Sequence, residues 1–276
     1  MRKHISSLQN ELIKRTYSLQ SKSRVRKKEG LFVVEGVREI SLALDSGFQF
    51  QFFMVCEDIA DDSDLKELER LSHAKTDGLD SSTEWISISK KVYEHLAHRK
   101  TTEGFIGIAV SPNRSLQDLS LGKNPLVLVA EASEKPGNVG ALLRTADAAN
   151  LDAVIIANPR TDLFNPNIIR SSVGCVFTQN VVTAPTDEII SYLKQKGISI
   201  RAAALNDTSI PYHEVDFRKA TAIILGTEDT GLSHAWLDQA DELIQIPMEG
   251  KIDSLNVSVS GAILIFEAKR QRSWSE

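Results

Sequence analysis

From Leu126 onward the chain repeats one pattern: a short apolar run, a polar turn, then a segment with helical periodicity. "LVLVAE" precedes "NVGALLRTADAAN", "AVIIA" precedes "NPNIIRSSVG", and "VFTQNVVTA" precedes "DEIISYLKQKG". "ISIRAAAL", "AIILGT", "ELIQIP" and a closing helix follow. A strand wetted on one face alternates apolar and polar side chains, whereas near-continuous apolar strands separated by helices belong to a parallel sheet covered on both faces. The pattern therefore predicts an α/β fold whose C-terminal part is a mostly parallel sheet with helices on both faces. Ligands of such sheets sit beyond the carboxyl ends of the strands, so the loops there are the place to look for chemistry.

Those loops hold no G-x-G-x-x-G and no G-x-x-x-x-G-K-[ST], which removes the sequence support for a dinucleotide or nucleoside-triphosphate site. They hold no G-x-S-x-G or H-E-x-x-H either. Three stretches rich in glycine and small polar residues remain. In "EKPGNVGALLRTADAANL" (134 to 151), Asn138 can cap a helix, Gly137 and Gly140 permit close approach, and Leu142, Leu143, Ala146 and Ala149 form the buried face. Arg144 points off that face, either as a functional cation or as a surface partner of Asp147. "ILGTEDTGLS" (224 to 233) puts Gly226 at a strand end, then Glu228, then Gly231 before a helix, which suits a loop wrapped around a ligand or a plain turn. In "IPMEGKIDSLNVSVSGA", Pro247 and Gly250 break the chain, and Asp253, Ser254 and Asn256 stand at the mouth of an apolar helix.

In this order, the three stretches resemble the motifs of the SpoU/TrmH family of RNA ribose 2′-O-methyltransferases, within the SPOUT superfamily. The first is similar to N-x-G-x-x-x-R (Asn138, Gly140, Arg144), and the second to L-G-x-E-x-x-G-L (Leu225, Gly226, Glu228, Gly231, Leu232). The third is similar to I-P-M-x-G-x-x-x-S-L-N-V-S, running from Ile246 to Ser258, and "SSVG" (171 to 174) matches a family segment of small residues. One departure is visible, "AANLDA" (148 to 153) where family members often carry a glycine-aromatic-glycine turn. "KKEGLFVVEGVREISLAL" and "HRKTTEGFIGIA" resemble the opening and close of the small L30e-like domain with which many members bind RNA.

The resemblance implies properties that periodicity alone does not: a deep trefoil knot in the C-terminal part, S-adenosyl-L-methionine as cofactor, an RNA substrate and a homodimer. It carries the catalytic roles to Arg144, Asn138, Glu228, Ser254 and Asn256, and the cofactor contacts to Ala204, Leu205, Gly226, Ile246, Met248 and Leu255. An arginine side chain is a poor base. The role it suits is electrostatic, stabilising the alkoxide that develops on the ribose as another group takes the proton. The layout is more like that of the family's ribosomal RNA enzymes, making 23S rRNA the expected substrate; a transfer RNA methyltransferase and a catalytically inactive RNA binder are the alternatives.

The remaining sequence divides into a basic arm (1–30), an L30e-like RNA-binding domain (31–110), a linker (111–124) and the methyltransferase domain (125–276). The arm holds Arg2, Lys3, Lys14, Arg15, Lys22, Arg24, Arg26, Lys27 and Lys28 against Glu11 and Glu29, on a chain of net charge −5. That asymmetry suits a phosphate-rich partner as well as a plain solvated terminus. Cys56 and Cys175 are isolated, so reduced thiols and no metal site are expected. Neither a signal peptide nor a run of about eighteen apolar residues is present, which points to the cytoplasm.

Overall fold

The computed structural model describes residues 2–74, 83–98, 103–227, 229–252 and 254–273. They form two compact units, Met1–Asn113 with Phe164–Thr178, and Arg114–Leu163 with Gln179–Glu276.

The first unit holds a mixed sheet in the order β1 (Lys3–Ile5), β4 (Glu84–Ile88), β3 (Phe50–Val55), β5 (Phe105–Val110), β2 (Leu31–Glu35). Helices α1 (Glu11–Ser21), α2 (Ser23–Glu29), α3 (Val37–Asp45), α4 (Asp62–Ala74) and α5 (Lys90–Leu96) accompany it. Residues 1–30, which composition sets apart as a basic arm, contribute β1 to this sheet and bury Ile13 and Leu19 of α1 in its core. Several of their cations hold the fold together. Arg26 is buried and donates to the carbonyls of Leu19 (2.6 Å) and Gln20 (2.9 Å), Arg2 pairs with Glu57 and Glu69, and Arg15 pairs with Glu29. Arg24, Lys27 and Lys28 on α2 stay exposed.

Two short helices, α7 (Pro166–Ser171) and α8 (Cys175–Thr178), also belong to this unit. The apolar run "VFTQNVVTA" reads as one strand, but its first residues lie in α8. The reason is aromatic packing. Phe177 and Phe164 stack on Phe32 with centroids 6.1 and 4.2 Å away, and Phe48 meets both edge-on. "SSVG" makes the bend between the two helices, with Val173 and Gly174 both in the left-handed region (φ 55° and 84°). A Cβ on Gly174 would lie 2.7 Å from the Leu42 side chain.

The second unit carries a seven-stranded sheet in the order β10 (Ile210–Pro211), β12 (Glu242–Gln245), β9 (Ser199–Ala203), β11 (Thr221–Leu225), β6 (Leu126–Glu131), β7 (Ala153–Ala157), β8 (Val181–Ala184). All of its described pairings are parallel. Val127, Val129, Ile155, Ile200, Ala202, Ala222 and Ile224 share one core with α9 (Thr186–Gln195) and α10 (His234–Gln239). On the opposite face α6 (Pro136–Ala148) packs beside α11 (Val257–Ser273), where a Cβ on Gly261 would stand 2.7 Å from Leu142 and 2.9 Å from Leu225. Small residues in "VSVSGA" thus let α11 lie close to its neighbours. The last turn of α11 is clamped by Arg272, which donates to the carbonyls of Phe217 and Asn124 (2.7 Å each) and also reaches Lys219.

The departure at "AANLDA" closes α6 by ordinary means. Asn150 takes the left-handed conformation at φ 48°, Leu151 N–H donates to the Ala146 carbonyl and Asn150 N–H to that of Asp147. This is a Schellman ending with asparagine in the place glycine usually holds. Among the described residues no helix is long and apolar enough to cross a membrane.

Phe32→Ala tests the packing of 164–178 in the first unit. Phe32 is fully buried, so the change should cost about 3–5 kcal/mol in denaturant unfolding. A cost near that of an exposed aromatic would contradict the described stack.

Candidate active site

Parallel pairing of β6 with β11 and of β11 with β9 puts three strand ends on one edge of the sheet, in the registers Leu225 with Ala130 and Leu225 with Ala203. β12 joins through Ile244 opposite Ala203. The loops after β6, β11, β9 and β12 carry all three motifs, so stretches far apart in sequence meet in one place.

The closest meeting is between the first and third motifs. Asn256 Nδ2 donates to Asn138 Oδ1 at 3.2 Å, across 118 positions of sequence. The other side of the same amide caps α11: Asn256 Oδ1 accepts from Ser258 N–H (3.0 Å) and Ser258 Oγ (2.6 Å). An N-cap side chain satisfies one of the amides orphaned at a helix start. The polar residue at the mouth of an apolar helix is therefore its cap, and the spare face of that cap ties α11 to α6. Asn138 does not itself cap α6. The helix begins at Pro136, with Lys135 as its N-cap residue, because proline suits the first helical position; Asn138 sits within the first turn. Gly137 faces open space.

Arg144 lies further along α6, exposed, and makes no hydrogen bond or ion pair among the described residues. Asp147 instead accepts from Gln179 at 3.0 Å, so the surface pairing with Arg144 is not formed. Glu228 and Asp253 lie outside the described residues.

Five of the six residues matched to cofactor contacts line one open cleft. They are Ala204, Leu205, Ile246, Met248 and Leu255, joined there by Ser254. Among the described residues the lining carries no charged side chain: apolar groups dominate, with Gln245, Ser254 and Ser260 as the polar points. Such a wall fits an adenine ring and a methionine-type chain held through backbone N–H and carbonyl groups. Leu205 is 70% exposed at its rim, an apolar side chain available to cover a ligand.

Gly226, the sixth, lines a second and more polar cleft, with Asn138, Lys135, Arg160, Thr227 and Asp229. A Cβ on Gly226 would lie 2.3–2.6 Å from backbone atoms of Gly231 and Leu232. Only glycine allows the loop to fold back so closely. The return is held by Thr227 and Gly231, each donating its N–H to the other's carbonyl (2.9 and 3.2 Å), and by a 2.8 Å contact between the Thr227 and Thr230 hydroxyls. Val257 lines this cleft and Leu255 the other, so the third motif borders both. Lys135 and Arg160, the latter paired with Glu134, were missed in the sequence because lone surface cations carry no local signal.

Residues 125–266 match the model of the SpoU rRNA Methylase family, and residues 10–107 that of the MRM3-like substrate binding domain. The chain is 28% identical over 267 residues to the 23S rRNA (guanosine(2553)-2′-O)-methyltransferase RlmP of Bacillus subtilis, covering 97% of this chain and 99% of the relative. With the tRNA (guanosine(18)-2′-O)-methyltransferase of Thermus thermophilus the identity is 36% over 163 residues, 58% of this chain and 82% of the relative. The crystal structure of an AdoMet-bound rRNA methyltransferase from Sinorhizobium meliloti superimposes with a TM-score of 0.87 at 25% identity, covering 97% of both chains. With its parallel sheet, its three motifs gathered at one sheet edge and a family match over more than half its length, this chain belongs to the SpoU methylase family.

Proposed function

We propose that the chain is an S-adenosyl-L-methionine-dependent RNA (ribose-2′-O)-methyltransferase. The observation that carries this reading is the Asn138–Asn256 hydrogen bond, which joins the first and third motifs at the border of the two clefts. Bound in the first cleft by Ala204, Leu205, Ile246, Met248 and Leu255, with Gly226 at the loop beyond, the cofactor would supply an electrophilic methyl on a sulfonium. The chain's own task is then to hold the ribose 2′-hydroxyl in line and lower the cost of removing its proton. Asn138, Ser254 and Asn256 orient the ribose, Glu228 orients Arg144 or Asn138, and Arg144 stabilises the charge that develops on the 2′-oxygen. The proton leaves to a substrate phosphate or another group, because a guanidinium accepts none.

Ribosomal RNA is the favoured substrate, with 23S rRNA as the specific target. The ribosomal RNA relative aligns along essentially the whole chain, whereas the transfer RNA relative aligns over little more than half of it. The first unit, matched by a substrate binding domain, is proposed as the RNA-docking part, and the second as the knotted methyltransferase domain of a cytoplasmic enzyme. Insertion of β11 between β9 and β6, strands formed earlier in the chain, is consistent with threading.

We also propose a homodimer through the second unit. Val259, Ile263 and Phe266 form a stripe along α11, with Val259 47% and Phe266 51% exposed, beside a concavity lined by Ala148, Ala149 and Tyr212. An apolar stripe of this kind on a lone chain marks an interaction surface.

Arg144→Ala should retain cofactor binding in calorimetry and lower turnover about 10²-fold or more; turnover near wild type would remove Arg144 from the role. Gly226→Ala should weaken cofactor binding at least about tenfold, since overpacking of this size costs about 1–3 kcal/mol. Ribose-methylation mapping of total RNA from a deletion strain should lose a 23S rRNA signal, and an unchanged 23S map would overturn that assignment. Phe266→Asp should shift the light-scattering mass from dimer to monomer; a monomeric wild-type chain at micromolar concentration would refute the dimer.

A further inference from the structure

A buried carboxylate outside all three motifs joins the stretches of chain that flank the two walls of the polar cleft. Glu131, the last residue of β6, is 5% exposed. Its Oε2 accepts from the Ser233 N–H at 2.8 Å, and its Oε1 from the Ser233 hydroxyl at 2.7 Å and the Thr186 hydroxyl at 3.2 Å. Thr186 is held in turn by Asn158, whose Nδ2 donates to the Thr186 hydroxyl at 2.9 Å. No ion pair to Glu131 is formed among the described residues, so its charge is balanced by hydroxyl and amide donors. Burying a carboxylate is costly unless it is hydrogen-bonded in this way.

The position of these contacts gives them a consequence for the site. Ser133, Glu134, Lys135 and Asn138, the wall that starts two residues after Glu131, line this cleft together with Gly226, Thr227, Asp229 and Thr230 of the Gly226 loop. That loop ends at Ser233, which is tied to Glu131. One side chain thus links the strand end that precedes the first wall to a residue that follows the second. The backbone leaving Glu131 is itself in a costly conformation: Ala132 has φ 44° and donates its N–H to the Ala157 carbonyl at 2.8 Å. A non-glycine residue held in the left-handed region persists only where its surroundings fix it.

We propose that Glu131 is a positioning residue: by binding Ser233 it sets the separation of the two walls, and so holds the Gly226 loop in the shape that receives the cofactor. The proposal rests on the S-adenosylmethionine reading above. Among the described residues, Ser233 is what this stretch brings to the contact, and it offers two donors to a group that, as a carboxylate, can only accept. Glutamine at 131 keeps the size and loses one acceptor to an NH₂ group, which leaves one Ser233 donor unmatched.

The test is calorimetry with S-adenosylmethionine on wild type, Glu131→Gln, Ser233→Ala and the double variant, beside methylation rates at saturating cofactor and melting curves. Glu131→Gln should weaken cofactor binding about tenfold, the scale of a lost hydrogen bond to a charged group, with kcat at saturating cofactor within about twofold. Ser233→Ala, an exposed position where folding is safe, should weaken it severalfold. The double variant should be no worse than Glu131→Gln, because both changes break one contact. Unchanged cofactor affinity in both single variants, or strictly additive losses, would overturn the assignment. A lowered melting temperature with unmoved affinity would do the same, reducing Glu131 to a purely structural group. A wild-type chain with no cofactor affinity would instead overturn the cofactor reading itself, and this inference with it.

Discussion

The parallel pairing of β11 with β6 and β9 is the constraint on which the rest of the second unit depends. β11 enters the sheet between two strands that precede it in the chain, and its register fixes where the loops on either side end up. Because the strands are parallel, every carboxyl end in this part of the sheet lies on one edge. Three motifs separated by long stretches of sequence become neighbours through this strand pairing. The side chains then lock that arrangement, Asn256 by bonding Asn138 and Glu131 by holding Ser233.

Asn256 illustrates how one side chain serves fold and function together. Its carbonyl caps α11 while its amide nitrogen reaches α6, so the start of the last helix and the start of the first motif helix are registered against each other. Close approach of the two helices is possible because Gly261 has no Cβ to meet Leu142. At the far end, Arg272 and Gln271 bond backbone groups of 215–219, so α11 is fixed at both ends. These end contacts give the helix a defined position, since apolar packing alone is non-directional.

Much of the strand and helix pattern was legible in the chain because near-continuous apolar runs and helical periodicity are local properties. The run 126–131 is β6 as read, and 153–157 is β7. Local reading failed where tertiary packing decided the outcome. "VFTQ" has strand character, yet Phe177 is drawn into the cluster of Phe32, Phe48 and Phe164 and its neighbours become helical. The basic N-terminal stretch looked like an arm because charge counts cannot distinguish a solvated cation from one such as Arg26, which is buried against two carbonyls. Asn138 looked like a cap because its residue type suits one, but Pro136 starts the helix earlier.

By itself the sequence determined the α/β class, the order of the apolar strands, the positions of the three motif loops and the residues that carry the family resemblance, because each is written in a contiguous stretch. Only the tertiary structure decided that 164–178 packs with the first unit, that β11 inserts between β9 and β6, that Asn256 meets Asn138, and that Glu131 bonds Ser233. Those are relations between residues far apart in the chain. Such relations follow from strand pairing, burial and hydrogen-bond satisfaction across the whole fold, and none of these is encoded in the spacing of neighbouring residues.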